Sequence, residues 1–109
     1  MNFNDIWRLF RIKLERREGI VLEEIHGVYL LMAVRSARNV CGYIRQVNEI
    51  GAEIWEMIGE HKSPDEMQVI IQERYMVPEG CDLLLDINEY IRALYQQGYL
   101  MYEAKQDEI

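Results

Sequence analysis

The sequence predicts a single α+β domain in which a three-stranded antiparallel sheet comes before three short helices. Two β-rich runs near the start lie only two residues apart, which is typical of a hairpin. The second half instead shows apolar residues at helical spacing, in three segments that each have start and stop signals. The length of 109 residues suits one domain with one modest core.

The strands are predicted from runs of β-branched and large apolar residues. Residues 20–25 and 28–34 are two such runs, and only His26 and Gly27 separate them. After a polar loop, the segment 43–47 has alternating character and provides a third strand. The three strands make a meander, and its last strand is an edge with unpaired backbone groups.

The helices are predicted from their caps and their apolar stripes. Asn48 can cap the first helix. Ser63, Pro64 and Glu66 combine a capping box with proline at the first helical position, which marks the start of the second helix. The helices are expected from Asn48 to about Ile58, from Ser63 to before Pro78, and from about Gly80 to Gln97. Three strands followed by three helices is the plan of a winged helix-turn-helix-like domain.

Residues 1–17 form an extension that differs from the remainder in charge. They carry five basic and two acidic side chains, a net charge of +3, whereas residues 18–109 have a net charge of −10. Apolar side chains recur there at helical spacing and predict an amphipathic helix; they are Phe3, Ile6, Trp7, Phe10 and Leu14. An apolar stripe of this size must be buried against another surface. We favour protein contact over a membrane surface, and the covering surface can be its own domain, a second copy in a homodimer, or a partner protein.

The chain therefore divides into an amphipathic extension over residues 1–17, a domain over residues 18–103 and an acidic tail over residues 104–109. Cys41 and Cys81 lie 40 positions apart without other ligands at zinc spacing, so we expect reduced thiols and no metal site. The sequence contains no triad, phosphate loop or other catalytic signature, and we expect neither enzymatic activity nor a cofactor.

No segment of the sequence suits a membrane span or an export signal. The longest uninterrupted apolar run has seven residues, whereas a span needs about 20. Charged residues interrupt the first part of the chain, so it lacks the apolar centre of a signal peptide. We therefore expect a cytoplasmic protein.

Nucleic-acid binding is the alternative that a winged-helix plan suggests, because such domains often read DNA with a helix. The charges disfavour it, since a surface that faces phosphates must be basic. The third helix has Asp82, Asp86 and Glu89 against the single base Arg92. A winged-helix DNA-binding regulator is therefore the runner-up.

Four stretches carry a recognisable pattern, at residues 18–29, 47–55, 86–94 and 98–100. The most specific is the Asn-Glu-x-Gly-Ala-x-x-Trp block at residues 48–55. Together they resemble the PqqD family of peptide-recognition domains. The resemblance implies a recognition element for the leader peptides of ribosomally made, post-translationally modified peptides. It also implies a separately encoded modifying enzyme as partner; a radical SAM enzyme is favoured, although lasso-type and other systems use similar domains.

The resemblance further implies where the leader peptide binds. In such domains the peptide is an added β-strand along the third strand, and its side chains enter a cleft beside the third helix. The implied peptide-binding residues are Tyr43, Ile44, Arg45, Gln46 and Val47 on the strand and Leu83, Asp86, Tyr90, Ala93 and Gln97 on the helix. The opposite flank of that helix fits nearly as well; it consists of Leu85, Asn88, Arg92 and Tyr95.

Overall fold

The main sheet and the helices follow the predicted order. We describe the fold from a computed structural model, over residues 12–39 and 44–104. The strands are β1 (Ile12–Arg16), β2 (Ile20–Ile25), β3 (Val28–Ala33), β4 (Ile44–Val47) and β5 (Leu100–Ala104), and the helices are α1 (Glu49–Gly59), α2 (Pro64–Arg74) and α3 (Leu83–Gln96). A short 3-10 helix, Arg35–Asn39, follows β3. The predicted α+β class, with three strands before three helices, is confirmed.

Strands β2, β3 and β4 form an antiparallel sheet in that order. The β2–β3 hairpin turns at His26 and Gly27, whose φ angles are +52° and +80°. Two successive positive φ angles give the turn the twist that a tight hairpin needs. Leu31 lies at the centre of the sheet, opposite Leu22 on β2 and Arg45 on β4. In the described part of the chain, β4 is therefore an edge strand.

Strand β1 pairs with β5 in a separate two-stranded ribbon, which the sequence did not lead us to expect. The prediction of an amphipathic helix is wrong over residues 12–16, which form β1. Leu14 belongs to this strand, and its side chain is 1% exposed within the core. The strand forms because β5 supplies a backbone partner for each of its residues. The other members of the predicted stripe, Phe3, Ile6, Trp7 and Phe10, lie outside the described residues.

Trp55 on α1 belongs to the hydrophobic core and is only 2% exposed. The guanidinium carbon of Arg16 lies 5.5 Å from the centroid of the tryptophan ring, which is a cation–π distance and holds β1 against α1. The largest buried side chains of the same core come from both sheets, from all three helices and from the segment before β5; they are Leu14, Leu31, Ile58, Met67, Ile71, Ile87, Ile91, Leu94, Tyr99 and Leu100.

The caps determine where the helices begin. Asn48 Oδ1 accepts a hydrogen bond of 2.7 Å from the backbone N–H of Gly51, which starts α1 directly after β4. The predicted capping box at the start of α2 is present. Helix α3 begins at Leu83 rather than near Gly80, because the carboxylate of Asp82 accepts a hydrogen bond of 3.1 Å from Leu85 N–H. These boundaries place the first turns of α1 and α3 on either side of a cavity beside β4.

Candidate functional site

A cavity of about 340 Å³ opens between β4, the first turns of α1 and the first half of α3. Its floor is apolar, because Val47, Ile54 and Ile87 are buried core residues. The complete lining consists of Arg45, Gln46, Val47, Asn48, Ile50, Gly51, Ile54, Leu83, Asp86, Ile87 and Tyr90. The cavity therefore combines an apolar floor with one basic side chain, one carboxyl and one phenol.

The cavity brings together six of the ten residues that the sequence pointed to, namely Arg45, Gln46, Val47, Leu83, Asp86 and Tyr90. Gln97 adjoins it, because its side-chain oxygen accepts a hydrogen bond from the Arg45 guanidinium. Ala93 does not line the cavity. Ile44 lies on β4 with 61% of its surface exposed, and Tyr43 lies outside the described residues.

The start of α1 is the part of the site that sequence reasoning missed. Asn48, Ile50, Gly51 and Ile54 line the cavity, although the sequence predicts only a capping role for Asn48. The sequence feature that could have identified these residues is the glycine at position 51. A Cβ atom at Gly51 would lie 2.7 Å from the Tyr90 hydroxyl oxygen, so α3 approaches α1 closely at this point.

The opposite flank of α3 faces away from the cavity. Leu85 is 50% exposed and Tyr95 is 38% exposed, and neither lines it. The side-chain amide of Asn88 donates a hydrogen bond of 3.0 Å to the backbone oxygen of Leu84 within the same helix. Of the two flanks that the sequence left open, the structure therefore turns the one with Leu83, Asp86 and Tyr90 toward β4.

Arg45 and Tyr90 form the polar part of the cavity. The guanidinium carbon of Arg45 lies 5.7 Å from the centroid of the Tyr90 ring, within cation–π range. The Tyr90 hydroxyl donates a hydrogen bond of 3.3 Å to the backbone oxygen of Gly51. Burial raises the pKa of Tyr90 to about 12, against the opposing effect of the nearby Arg45 charge. Tyr90 is therefore a neutral hydrogen-bond donor at physiological pH.

The β2–β3 hairpin determines which backbone groups of β4 are used within the sheet. A two-residue turn makes the residues on either side of it, Ile25 and Val28, a hydrogen-bonded pair. From Val28 onward, every second residue of β3 then directs its backbone groups toward β2. A hydrogen bond of 2.8 Å from Val34 N–H to the Gly19 oxygen, six residues farther along, fits this alternation.

The intervening residues of β3, Tyr29 and Leu31, therefore direct their backbone groups toward β4, where they lie opposite Val47 and Arg45. The backbone groups of Val47 and Arg45 are thus used within the sheet. The β4 residues whose N–H and C=O groups point away from β3 are Ile44 and Gln46. No described strand pairs with this edge, which borders the cavity.

A second cavity, of about 480 Å³, lies between the sheet, α1 and the end of α2. Its lining includes three acidic side chains of α1, Glu49, Glu53 and Glu56. Glu53 forms an ion pair with Arg74, and its interaction with Tyr75 contributes most to raising the pKa of that phenol to about 12. Across the two described ranges, no group of three or more His, Cys, Asp or Glu side chains is arranged to hold a metal ion.

Among the helices that the structure describes, none is both long enough and apolar enough to cross a membrane. Cys81 is an exposed, unpaired thiol near the first cavity, and its hydrogen bond to Asp86 raises the pKa of the thiol. Cys41, also expected to be reduced, lies outside the described residues.

Comparison with known proteins identifies a matching family and solved structures with a similar fold. The family model described as coenzyme PQQ synthesis protein D (PqqD) matches residues 28–100. The chain resembles a solved structure described as lasso peptide synthetase B1 complexed with the leader peptide, with a TM-score of 0.66 and 21% identity over 82% of this chain and 98% of that chain. It also resembles TbiB1 in complex with the TbiA(beta) leader peptide, with a TM-score of 0.64 and 22% identity over 84% of this chain and 99% of that chain. No curated protein matches the sequence.

Proposed function

This chain belongs to the PqqD family, and from that premise we propose that it binds the leader segment of a ribosomally synthesised precursor peptide. In this proposal the leader adds a strand to β4, and the domain presents the rest of the precursor to a separately encoded modifying enzyme. The domain itself catalyses nothing.

One observation carries the proposal, namely a strand edge that borders a cavity. Ile44 and Gln46 direct their backbone groups away from β3, and no described strand uses them. An extended peptide satisfies such groups with its own backbone, which provides affinity with little dependence on sequence. The adjacent cavity then receives alternate peptide side chains, which provides specificity.

The two similar solved structures support this binding mode. Both are described as complexes with a leader peptide, and each of those chains is matched over nearly its whole length. The proposal transfers that ligand class to this chain, in which Arg45, Tyr90 and the apolar floor are the side chains that meet the peptide.

The partner in this proposal is a modifying enzyme that works on the tethered precursor. Holding the leader raises the local concentration of the core peptide at the active site, which increases the effective affinity without additional contacts. We favour a radical SAM enzyme, a cytoplasmic location and a homodimer formed through the N-terminal extension. Light scattering on the full chain and on a variant lacking residues 1–11 tests the homodimer, which predicts that the deletion lowers the mass to that of a monomer.

DNA is not the ligand in this proposal. Asp82, Asp86 and Glu89 give α3 an acidic surface, and this sign of charge opposes a phosphate backbone. Neither of the two similar solved structures is described as a DNA complex.

The test is a proline substitution on the β4 edge, with a peptide selected on the purified full-length chain from a random-peptide library as the probe. Gln46→Pro removes the outward N–H and places a ring in the path of the peptide, while an edge position tolerates proline in the fold. Gln46→Ala is the matched control, because it keeps the N–H. The proposal predicts that the selected peptide binds Gln46→Ala and not Gln46→Pro, with similar melting curves. Peptide binding that is equal in both variants would contradict it.

A further inference from the structure

The direction of the backbone groups on β4 determines which leader side chains enter the cavity. Residues of an added strand that lie opposite Ile44 and Gln46 share the side-chain direction of those residues, toward the exposed face of the sheet. Residues opposite Arg45 and Val47 share the direction of those side chains, toward the cavity. Because side chains in a strand alternate, the two leader residues that enter the cavity are two positions apart.

Arg45 lacks an anionic partner in the part of the chain that the structure describes. Its guanidinium contacts the oxygen of Gln97 and the ring of Tyr90, both of which are uncharged. Its Nε is buried and has no hydrogen-bond partner among the described residues. A buried, charged donor without a partner is unfavourable, and a carboxylate is the group that satisfies a guanidinium best.

Much of the remaining cavity lining is apolar. Val47 lines the cavity, and so do Leu83 and Ile87 from the first half of α3. Asp86 lies one helical turn before Tyr90, and its carboxylate accepts a hydrogen bond of 3.3 Å from the Cys81 thiol. Beside the buried Val47 side chain, an apolar leader side chain would bury its surface on the apolar floor, whereas an acidic one would find no basic partner there and would share the cavity with the carboxylate of Asp86.

We propose that the leader carries an aspartate or glutamate opposite Arg45 and an apolar residue opposite Val47, two positions apart. This inference rests on the proposed function, since it assumes that a peptide strand adds to β4. The order of the two residues reports the direction of the leader. The apolar residue comes first in an antiparallel leader and second in a parallel one, because β4 runs from Arg45 to Val47.

A random-peptide phage library, selected on the purified full-length chain, tests this inference without knowledge of the natural leader. Selection on the wild type should enrich an acidic residue two positions from an apolar residue. Selection on Arg45→Gln should keep the apolar preference and lose the acidic one. Selection on Arg45→Glu should enrich lysine or arginine in its place, a gain of preference that damage to the fold does not produce.

A selected peptide then measures the pair directly. Replacing its acid with the corresponding amide should weaken binding to the wild type by about 10- to 100-fold, the usual effect of a hydrogen bond between charged groups. The same replacement should change binding to Arg45→Gln by much less. An acidic preference that is absent, or that survives in Arg45→Gln, would overturn the inference.

The library also separates failure of this inference from failure of the proposed function. If peptides without an acid bind the wild type and lose binding to Gln46→Pro, strand addition stands and only the role of Arg45 is wrong. If selected peptides bind Gln46→Pro as well as the wild type, or if no peptide is selected at all, the proposed function fails and this inference fails with it.

Discussion

Replacing Gly51 with alanine should destabilise the domain, although the same change in most helices is stabilising. Gly51 lies in the first turn of α1, and alanine there ordinarily gains up to about 1 kcal/mol of helix propensity. Here the new Cβ atom would lie 2.7 Å from the Tyr90 hydroxyl oxygen and 3.1 Å from its ring carbon. Because a tyrosine ring is rigid, the whole Tyr90 side chain must move away.

The size of the destabilisation follows from the two contacts and the packing that Tyr90 would lose. The hydrogen bond to the Gly51 oxygen is long, at 3.3 Å, and its loss should cost about 0.5 kcal/mol, the lower end of the usual range. Loss of the partly exposed cation–π contact with Arg45 should cost about 0.5–1 kcal/mol. Displacing a half-buried ring from its packing should add about 1 kcal/mol. Against the gain in propensity, the net destabilisation should be about 1 kcal/mol, equivalent to roughly 4 °C in Tm.

Chemical denaturation of Gly51→Ala in two backgrounds measures this effect. In the wild type the substitution should lower the free energy of unfolding. In a Tyr90→Leu background it should raise the free energy of unfolding, because leucine has no atom at the position of the hydroxyl. The change of sign is the critical result. If Gly51→Ala stabilises both backgrounds equally, the close approach of α3 to α1 is wrong, and so is the shape of the cavity.

Three other predictions concern the core, a phenol and a cap. Trp55→Ala should cost about 3–5 kcal/mol and unfold most of the protein at 37 °C; loss of peptide binding at an unchanged Tm would instead place Trp55 in the site. The pKa of Tyr90, about 12 when folded against 10.0 for the free side chain, means that the folded state holds the proton more tightly. The contribution of the Tyr90 proton to the free energy of unfolding should be complete below pH 10 and lost as the pH rises toward 12. The free energy of unfolding of Tyr90→Phe should therefore fall less over that interval. Ser63→Ala, which breaks the capping box of α2, should lower the free energy of unfolding by about 0.5–2 kcal/mol, whereas Lys62→Ala next to it should have little effect.

The parts of the fold that the sequence predicts are those controlled by neighbours along the chain. His26 and Gly27 are sufficient for the hairpin, and Ser63 with Glu66 is sufficient for the start of α2, because each interaction spans only a few residues. The β1–β5 ribbon is different. Its pairs join residues such as Ile12 and Ala104, and no local pattern in either segment identifies the other.

Leu14 shows why the first segment was assigned to the wrong element. It continues the helical spacing of the residues before it, yet the apolar Ile12 and Leu14 also alternate with charged residues, as in a strand. Periodicity alone does not decide between the two, and the strand forms because β5 offers backbone partners. Tertiary pairing thus overrides a local helical pattern.

The sequence predicts some of the residues that line the candidate cavity and misses others. The resemblance to the PqqD family pointed to β4 and α3, where Arg45, Asp86 and Tyr90 indeed line one cavity. It did not distinguish the two flanks of α3, since that depends on the rotation of the helix about its axis. No local pattern marks Gly51 as part of the site, and only the approach of Tyr90 brings it there.

Amide hydrogen exchange with and without bound leader tests the central claim most directly. Arg45 and Val47 direct their N–H groups into the sheet, so these amides should already be protected in the unbound protein. Ile44 and Gln46 direct theirs outward and should exchange rapidly until the leader binds. Strand addition at β4 predicts new protection at Ile44 and Gln46 on binding, together with shifted signals on α3. Protection that appears on α2 instead, with Ile44 and Gln46 still exchanging rapidly, would contradict strand addition at β4.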